Sequence, residues 1–154
     1  MAAKKGTMTA MDRQIITTRI NLLIKYLERM RGFESMTFDN YLNDFDAQLI
    51  VERLIQLMVE CASDINSYLL VQLYQAAPAT YFESFIEAGN RGLVTKELAS
   101  ELAQSAGMRN ILVHQYQKIN HQLVFDAIPK ALKQYQLYIQ QITAYLNSLE
   151  VNNG

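Results

Sequence analysis

Apolar residues near the start of the chain recur with the period of an α-helix. Their spacing alternates between four and three residues, which places them on one stripe of a helix with 3.6 residues per turn. The stripe consists of Ile16, Ile20, Leu23, Leu27 and Met30. The pattern predicts a first helix that ends near Arg31 and Gly32, where this spacing stops.

A second, wider apolar pattern predicts the central helix of the fold, from about Asn43 to Tyr74. It carries two neighbouring stripes, and a helix that is apolar on adjacent faces has to be buried on more than one side. At about 1.5 Å per residue this helix would be more than about 40 Å long, so a second copy of the protein is a candidate to cover part of it. The stripes are Ile50, Leu54, Leu57 and Cys61, and Val51, Ile55, Met58, Ala62, Ile65 and Leu69.

A short amphipathic segment follows the central helix. Ala77 and Pro78 break the helical pattern, because proline lacks the backbone N–H that a helix interior uses. The apolar positions after this break predict a packing helix that stops at Gly89 and Asn90. These positions are Tyr81, Phe82, Phe85 and Ile86.

The remaining part of the chain predicts two more helices. Thr95 is a suitable N-cap for the first, and Gly107 is expected to interrupt that helix just ahead of residues 109–116. Pro129, near the start of the final apolar stripe, implies either a helix that begins close to Asp126 or a kink. The stripe comprises Phe125, Ile128, Leu132, Tyr135, Ile139, Ile142 and Leu146.

The composition supports a helical protein with one core. The chain has 154 residues with two Pro, six Gly and no Trp, and 50% of it is apolar, which suffices for a continuous core. The sequence predicts an all-α fold over residues 11–150, an up-and-down helical bundle of four or more helices with a long central helix. Residues 1–10 lack periodicity and are predicted to be a flexible leader, in which Met1, Met8 and Met11 leave the translation start open.

Charge is segregated along the chain although the formal net charge is only -1. Residues 1–31 contain seven Lys and Arg against two acidic residues, and residues 32–90 contain nine carboxylates against Arg53 alone. Residues 91–133 return to six basic residues against three acidic ones. A nucleic acid would therefore have to meet a local basic surface. Taken alone, the charges are more typical of solvated helix faces.

The single cysteine and the hydropathy pattern bear on the cellular compartment. Cys61 lies within an apolar helical pattern, which predicts a buried thiol and excludes a disulfide framework. No uninterrupted apolar stretch approaches the roughly 20 residues that cross a bilayer, and the first residues lack the apolar region of a signal peptide. We therefore expect a cytoplasmic protein.

Most reactive constellations are missing from the sequence. It contains no Gly-rich phosphate loop, CxxC pair or HExxH motif, and neither of its two histidines has a carboxylate beside it. Metal catalysis and a serine-type triad are therefore not expected, and no cofactor is predicted.

One segment, residues 109–116, holds an arginine, an amide, an imidazole and a phenol within eight residues. On a continuous helix Asn110 and His114 share a face, as do His114 and Lys118. Arg109 points about 140° away from His114. We expect Arg109 at the start of a helix, where its long side chain can turn and where the first-turn N–H groups favour an anion.

These side chains suit RNA cleavage without a metal, because the 2′-hydroxyl of RNA is itself the nucleophile. His114 would transfer protons, since an imidazole titrates near neutral pH. Arg109 would stabilise negative charge on the phosphoryl oxygens, and Asn110 would position His114 or the substrate. Such a reaction leaves a 2′,3′-cyclic phosphate and a 5′-hydroxyl. From the residues alone, a ribonuclease and an inert helical module cannot be separated.

Three ordered blocks of sequence resemble the HEPN superfamily, in its DUF86 or HepT-like branch. Residues 109–116, RNILVHQY, are similar to the RNxxxHxY signature of that family. Residues 51–56, VERLIQ, resemble a VERxLQ-type stretch of the family's long helix, and residues 78–85, PATYFESF, resemble its PxxYxxxF segment. With the final helix included, the resemblance covers about residues 12–148.

The resemblance implies a bundle that forms a homodimer and brings two RNxxxH segments into one cleft. It also implies a ribonuclease toxin of a toxin–antitoxin pair, silenced by a minimal nucleotidyltransferase antitoxin that transfers AMP to the motif tyrosine. Carried over to this chain, Arg109 and His114 are catalytic, Asn110 supports them and Tyr116 accepts the AMP. Lys118 is expected to bind the RNA substrate.

Several alternatives stay open at this point. The same bundle could be a non-catalytic module that binds a nucleotide or a protein partner in a nucleotidyltransferase complex, and the RNA substrate could be mRNA or tRNA. Arg53 and Glu83 also match family-like positions, and we interpret them as a helix charge pair or a dimer contact. His121 could line the same cleft on a continuous helix, but Asn120 predicts a helix end there.

Overall fold

The structure is a computed structural model, and it describes residues 6–149 together with the backbone of residues 151–152. Its α-helices, in chain order, are α1 (Ala10–Arg31), α2 (Phe38–Leu42), α3 (Phe45–Tyr74), α4 (Tyr81–Asn90), α5 (Lys96–His114) and α6 (His121–Asn147). A single turn of 3₁₀ helix, Tyr116–Lys118, joins α5 to α6. Strand β1 (Met8–Thr9) pairs in parallel with strand β2 (Val151–Asn152). The predicted all-α, up-and-down bundle is confirmed.

Each α-helix begins at a side chain that caps it. The capping oxygen accepts a hydrogen bond from a backbone N–H of the first helical turn, which would otherwise have no partner. The capping residues are Thr9, Thr37, Asp44, Thr80, Thr95 and Asn120. The predicted N-cap at Thr95 is therefore confirmed. The helix end predicted near Asn120 is wrong, because α5 already ends at His114 and Asn120 caps the start of α6.

Helix α3 is the central element and contacts α1, α4, α5 and α6. The predicted stripe of α1 is buried against the core over its full length. The two α3 stripes are buried as well, except for the partly buried Ile50 and Leu57. By length and composition alone α3 could span a membrane, with a mean hydropathy of 1.2, but 61% of that window is buried inside the bundle. Such burial is typical of a core helix in a globular bundle.

Two further predicted helix boundaries are wrong. Helix α5 runs through Gly107 without interruption. A glycine costs about 1 kcal/mol relative to alanine inside a helix, and the burial of Ala106 and Leu112 on either side offsets this cost. Helix α6 begins at His121, so of the two alternatives drawn from Pro129 the start near Asp126 is wrong, and the proline lies inside the helix, as the alternative of a kink requires.

Residues 6–10 belong to the fold rather than to the flexible leader predicted over residues 1–10. Met8 is only 1% exposed, and the Gly6 N–H donates a 2.7 Å hydrogen bond to the carbonyl of Leu73. Residues 1–5 lie outside the described residues. The sequence pattern missed this packing because a two-residue strand carries no periodicity.

Close packing of α4 against α3 and α5 prepares the place where the candidate site forms. At Gly89 an added Cβ would lie 2.6 Å from the Cβ of Ala99 on α5, so only glycine allows this approach. The hydroxyl oxygens of Ser63 on α3 and Ser84 on α4 lie 2.7 Å apart, inside the core. The serine pair holds the first half of α4 against α3, and the Gly89 contact holds the end of α4 against the first turns of α5.

Candidate active site

Residues 109–114 form the last part of α5, not its start. The helix ends at His114, and Gln115 leaves the helical conformation with φ -127° and ψ 39°. The C-terminal end of a helix presents carbonyl groups and favours cations. The prediction that first-turn N–H groups bind an anion beside Arg109 is therefore wrong, and any attraction for phosphate has to come from side chains.

Arg109 is held between α3 and α4 by three contacts. Its Nη2 lies 3.3 Å from Oε1 of Glu60 on α3, and its Nη1 donates a 3.2 Å hydrogen bond to Oδ1 of Asn110. The guanidinium carbon lies 4.6 Å from the ring centroid of Tyr81, at the start of α4. Arg109 therefore reaches toward the bundle and does not turn toward His114 as the sequence analysis allowed.

The ion pair of Arg109 and Glu60 is largely shielded from water. Their side chains are 13% and 27% exposed. Nε of Arg109 and Oε2 of Glu60 are both buried and have no hydrogen-bond partner among the described residues. Since a guanidinium has about five N–H donors, the observed contacts leave donor capacity for a phosphate oxygen. Removing either partner would leave a partly desolvated charge uncompensated.

The other polar side chains of the segment are exposed and lie outside the contacts of Arg109 with Glu60 and Tyr81. They are His114, Tyr116 and Lys118. Tyr116 is 66% exposed. The three side chains line one small cavity together with Gln115 and Gln117. The predicted helical i,i+4 relation between His114 and Lys118 is wrong because α5 ends at His114, although the 3₁₀ turn still brings Lys118 to the same cavity.

Asn110 lies on the same helix as His114 but lines a different cavity. It shares α5 with His114 at i,i+4, as predicted, and both side chains are exposed. Asn110 also lines a second, polar cavity between α3, α4 and α5. Within one chain, the structure therefore brings His114, Tyr116 and Lys118 together, whereas Arg109 and Asn110 lie at the edge of a different cavity.

Two residues that hold the site were missed by the sequence analysis. Glu60 was not singled out, and Tyr81 was interpreted only as a packing residue. A signal for Glu60 was present, because a carboxylate between the buried Val59 and Cys61 of a central helix needs a cationic partner. The sequence offers no comparable signal for Tyr81, whose partner comes from a helix more than twenty residues later.

Glu83, Arg53 and His121 were also considered in the sequence, and the structure places each of them outside the contacts of Arg109 and His114. Oε2 of Glu83 accepts a 3.0 Å hydrogen bond from the N–H of Ala79, which fixes the turn before α4 and agrees with a structural role. Arg53 is exposed on α3. His121 packs edge-on toward Tyr41, with ring centroids 6.4 Å apart, and does not line either of the two cavities around residues 109–118.

Burial raises the pKa of two titratable groups on α3 near the site, Cys61 and Asp64. Burial raises the pKa of the Cys61 thiol to about 11, with Asp64 adding to the shift and Arg19 opposing it. Cys61 thus stays protonated near neutral pH and is a poor nucleophile; its predicted burial is confirmed. Burial also raises the pKa of the Asp64 carboxyl, while Arg19 lowers it and Glu60 raises it. Across the described residues, no group of three or more His, Cys, Asp or Glu side chains could hold a metal ion.

Comparison with known proteins identifies the family. The family model described as ribonuclease HepT-like matches residues 23–142. A tRNA nuclease HepT of Aphanizomenon flos-aquae (strain 2012/KM1/D3) is 46% identical over 146 residues, covering 95% of this chain and 99% of the relative. An mRNA nuclease HepT of Shewanella oneidensis is 28% identical over 125 residues, covering 81% of this chain and 91% of the relative.

The solved structures agree with this assignment. The tri-AMPylated Shewanella oneidensis HEPN toxin, solved in complex with an MNT antitoxin, superposes with a TM-score of 0.77 at 26% identity. The match covers 84% of this chain and 97% of that toxin. The resemblance drawn from the three sequence blocks is confirmed, and the chain belongs to the HepT-like family of ribonucleases.

Proposed function

We propose that the chain is the ribonuclease toxin of a toxin–antitoxin pair and that it cleaves RNA without a metal ion, through Arg109 and His114. The observation that carries the proposal is the fixed guanidinium of Arg109, held by Glu60 and Tyr81 five positions before an exposed imidazole. One group is preorganised to stabilise charge, and the other is accessible for proton transfer.

In the proposed reaction the 2′-oxygen of one nucleotide attacks the adjacent phosphorus, and the bond to the 5′-oxygen of the next nucleotide breaks. His114 accepts the proton of the 2′-hydroxyl or donates the proton that the 5′-oxygen receives. Arg109 stabilises the negative charge that develops on the phosphoryl oxygens. The products are a 2′,3′-cyclic phosphate and a 5′-hydroxyl. Asn110, whose Oδ1 accepts a hydrogen bond from Arg109, supports the arginine.

A homodimer completes this scheme, because one chain supplies a single motif histidine and does not turn its Arg109 toward that histidine. Two copies that meet near the end of α5 would place one His114 as base and the other as acid in a shared cleft. Ile111 and Tyr116, which are 43% and 66% exposed, leave apolar surface there for a second copy to cover. Lys118 would contribute a phosphate contact at the rim of the same cleft.

We propose tRNA as the substrate class, in the cytoplasm. The support is the relative named as a tRNA nuclease, which is 46% identical over nearly the whole chain. The relative named as an mRNA nuclease is only 28% identical. Cleavage of mRNA in preference to tRNA by the purified protein would reverse this assignment.

The antitoxin proposed here is a minimal nucleotidyltransferase that transfers AMP to Tyr116. The support is the related toxin, which was solved in a tri-AMPylated form with its MNT antitoxin, together with the 66% exposure of Tyr116. Each AMP would add a phosphate and considerable bulk to the cavity that Tyr116 shares with His114 and Lys118. The added negative charge would repel the RNA backbone from this cavity.

The decisive experiment is cleavage of purified tRNA in EDTA by the unmodified wild-type protein and by His114→Ala. We expect cyclic phosphate ends from the wild type and loss of cleavage in the variant, while His121→Gln, which changes the other histidine, retains activity. Addition of the antitoxin and ATP should stop cleavage by the wild type. Equal cleavage by His114→Ala would refute the proposed mechanism. Absence of any cleavage by unmodified protein that still binds the antitoxin would favour the non-catalytic binding module.

A further inference from the structure

A polar cleft between α3, α4 and α5 has no role in the mechanism above. It has a volume of about 440 Å³, which is within the range of pockets that bind small organic groups. Its lining comes from one face of α3, from the turn before α4 and from the end of α5. The lining residues are Ser63, Asp64, Ser67, Pro78, Ala79, Thr80, Tyr81 and Asn110.

This cleft, which we call the Asp64 cleft, lies directly beside the Arg109 side chain. Two of its lining residues contact the guanidinium directly: the Tyr81 ring lies under it at 4.6 Å, and Asn110 accepts its hydrogen bond at 3.2 Å. A phosphate bound by Arg109 would therefore sit at the edge of the cleft. The nucleoside attached to that phosphate is the group nearest to the opening.

Some of the polar groups that line the cleft are hydrogen-bonded, such as the Ser63 hydroxyl, which pairs with Ser84, and others have no partner. The side chains of Asp64 and Ser67 form no hydrogen bond within the described part of the chain, and the amide NH₂ of Asn110 is also without a described partner. Glu60, one turn before Asp64 on α3, offers the contrast because its carboxylate is taken by Arg109. The Asp64 cleft thus presents a hydroxyl, an amide donor and a carboxylate that is not hydrogen-bonded and whose charge is partly balanced by the nearby Arg19.

This combination selects a particular ligand chemistry. A carboxylate repels phosphate and accepts hydrogen bonds from N–H groups. Among the RNA bases, guanine carries two adjacent N–H donors, N1–H and N2–H, beside a carbonyl acceptor on its Watson–Crick edge. Unpaired bases in single-stranded RNA are read through that edge. Asp64 would accept from the two N–H groups, and Asn110 would donate to the carbonyl.

We propose that the Asp64 cleft is a nucleobase subsite that reads guanine in the nucleotide next to the cleaved phosphate. The inference rests on the proposed function, since it requires RNA at Arg109. Asp64 is then a specificity residue and not a catalytic one. Its loss changes which bond is cut more than how fast the preferred chemistry proceeds.

The test is cleavage of an RNA library with a randomised single-stranded segment, read out as base frequencies on both sides of each cut. The wild type should favour guanine at one flanking position by about tenfold or more, the discrimination expected of one good bidentate contact. Asp64→Asn should bring the four bases close to equality. Asp46→Asn, an exposed carboxylate on the same helix outside the cleft, is the matched control and should keep the preference.

A chemical variant of the substrate isolates the contact. Inosine lacks the N2 amino group of guanine, so replacing the preferred guanine by inosine should slow wild-type cleavage but should not affect Asp64→Asn. If Asp64→Asn fails to fold, Ser67→Ala provides a second change in the cleft, expected to weaken the preference. A wild type without base preference, or an unchanged preference in Asp64→Asn, overturns the subsite.

A binding measurement separates this inference from the proposed function. If the wild type cuts no RNA, the proposed function fails. The cleft is then tested by fluorescence anisotropy with His114→Ala, comparing single-stranded oligonucleotides that differ by one guanine-to-uracil change. Tighter binding of the guanine oligonucleotide, lost in the His114→Ala/Asp64→Asn double variant, supports the subsite. Equal binding of both oligonucleotides overturns it.

Discussion

The two reactive groups of the 109–116 segment lie in opposite physical environments. Arg109 is 13% exposed in its side chain and is fixed by a carboxylate from one helix and a ring from another. His114 and Tyr116 lie at and beyond the end of α5, in exposed positions. His114 thus follows Arg109 by only five positions in the sequence, yet the arginine is packed into the bundle and the histidine faces solvent.

The different environments of these side chains suit the different roles that we propose for them. A charge-stabilising group gains from being held in place before the substrate arrives, because no reorganisation is then required during the reaction. A proton-transfer group and a modified group have to be reached by RNA and by another enzyme. Arg109 should therefore contribute to both stability and activity, whereas His114 and Tyr116 should contribute to function alone.

The largest effects are expected from removing the two side chains that we propose to be catalytic. His114→Ala should lower the rate of tRNA cleavage by about 10²–10⁴-fold, and Arg109→Ala by about 10²–10³-fold. The free energy of unfolding should separate them. His114→Ala should change it by less than about 0.5 kcal/mol, while Arg109→Ala should lower it by about 1–3 kcal/mol because Glu60 loses its partner. Initial rates and urea unfolding measure both quantities. Equal stability of the two variants would contradict the comparison.

A smaller effect is expected from Glu60→Gln, which keeps a hydrogen-bond acceptor but removes the charge that holds Arg109. Cleavage should fall by about tenfold, because a hydrogen bond to a charged group is worth about 1.5–3 kcal/mol. The fall should appear in kcat more than in KM, since Glu60 positions the arginine and does not touch RNA. The control is a double-mutant cycle of Glu60→Ala with Arg109→Ala. Strictly additive losses of stability in that cycle would argue against the pair.

The fold could be predicted in outline because apolar periodicity is a local property. The stripe from Ile16 to Met30 is buried as the spacing predicts, and so are the two stripes of α3 except for the partly buried Ile50 and Leu57. The local rules failed at Gly107 and Pro129, where each residue disfavours a helix by itself. Burial of the neighbouring turns on both sides keeps α5 and α6 continuous there. The identity of a single residue does not reveal such long-range packing, so the sequence could not predict it.

The candidate site could be predicted only as a segment. The types and order of Arg109, Asn110, His114 and Tyr116 indicate phosphodiester chemistry, but they carry no information on which helix end they occupy. The expected anion site at a helix start was wrong for this reason. Glu60 lies 49 residues before Arg109, and a pairing over this separation depends on how α3 and α5 pack.

A still smaller effect is expected from changing Tyr81, whose ring packs against the guanidinium of Arg109. Tyr81→Leu removes the aromatic face under the guanidinium, a contact worth about 0.5–2 kcal/mol, so cleavage should fall by about 2–30-fold. Tyr81→Phe keeps the ring and should retain most of the activity. The two variants are compared by initial rates on the same tRNA. Equal loss in both would assign the effect to the Tyr81 hydroxyl and contradict the role of the ring face.

Tyr116→Phe should give the smallest effect on the enzyme itself, since it removes one hydroxyl from an exposed side chain. Cleavage should stay within about twofold and the free energy of unfolding within about 0.5 kcal/mol of the wild type. Modification should nevertheless be lost, because phenylalanine has no oxygen to accept AMP. Intact mass after incubation with the antitoxin and ATP measures this directly, with Tyr26→Phe, a change in α1, as the matched control. Because the variant keeps its activity and escapes silencing, it should remain toxic in cells that produce the antitoxin. Adenylate mass on Tyr116→Phe equal to that on the wild type would place the switch on another residue, and the exposed end of the segment would then serve catalysis only.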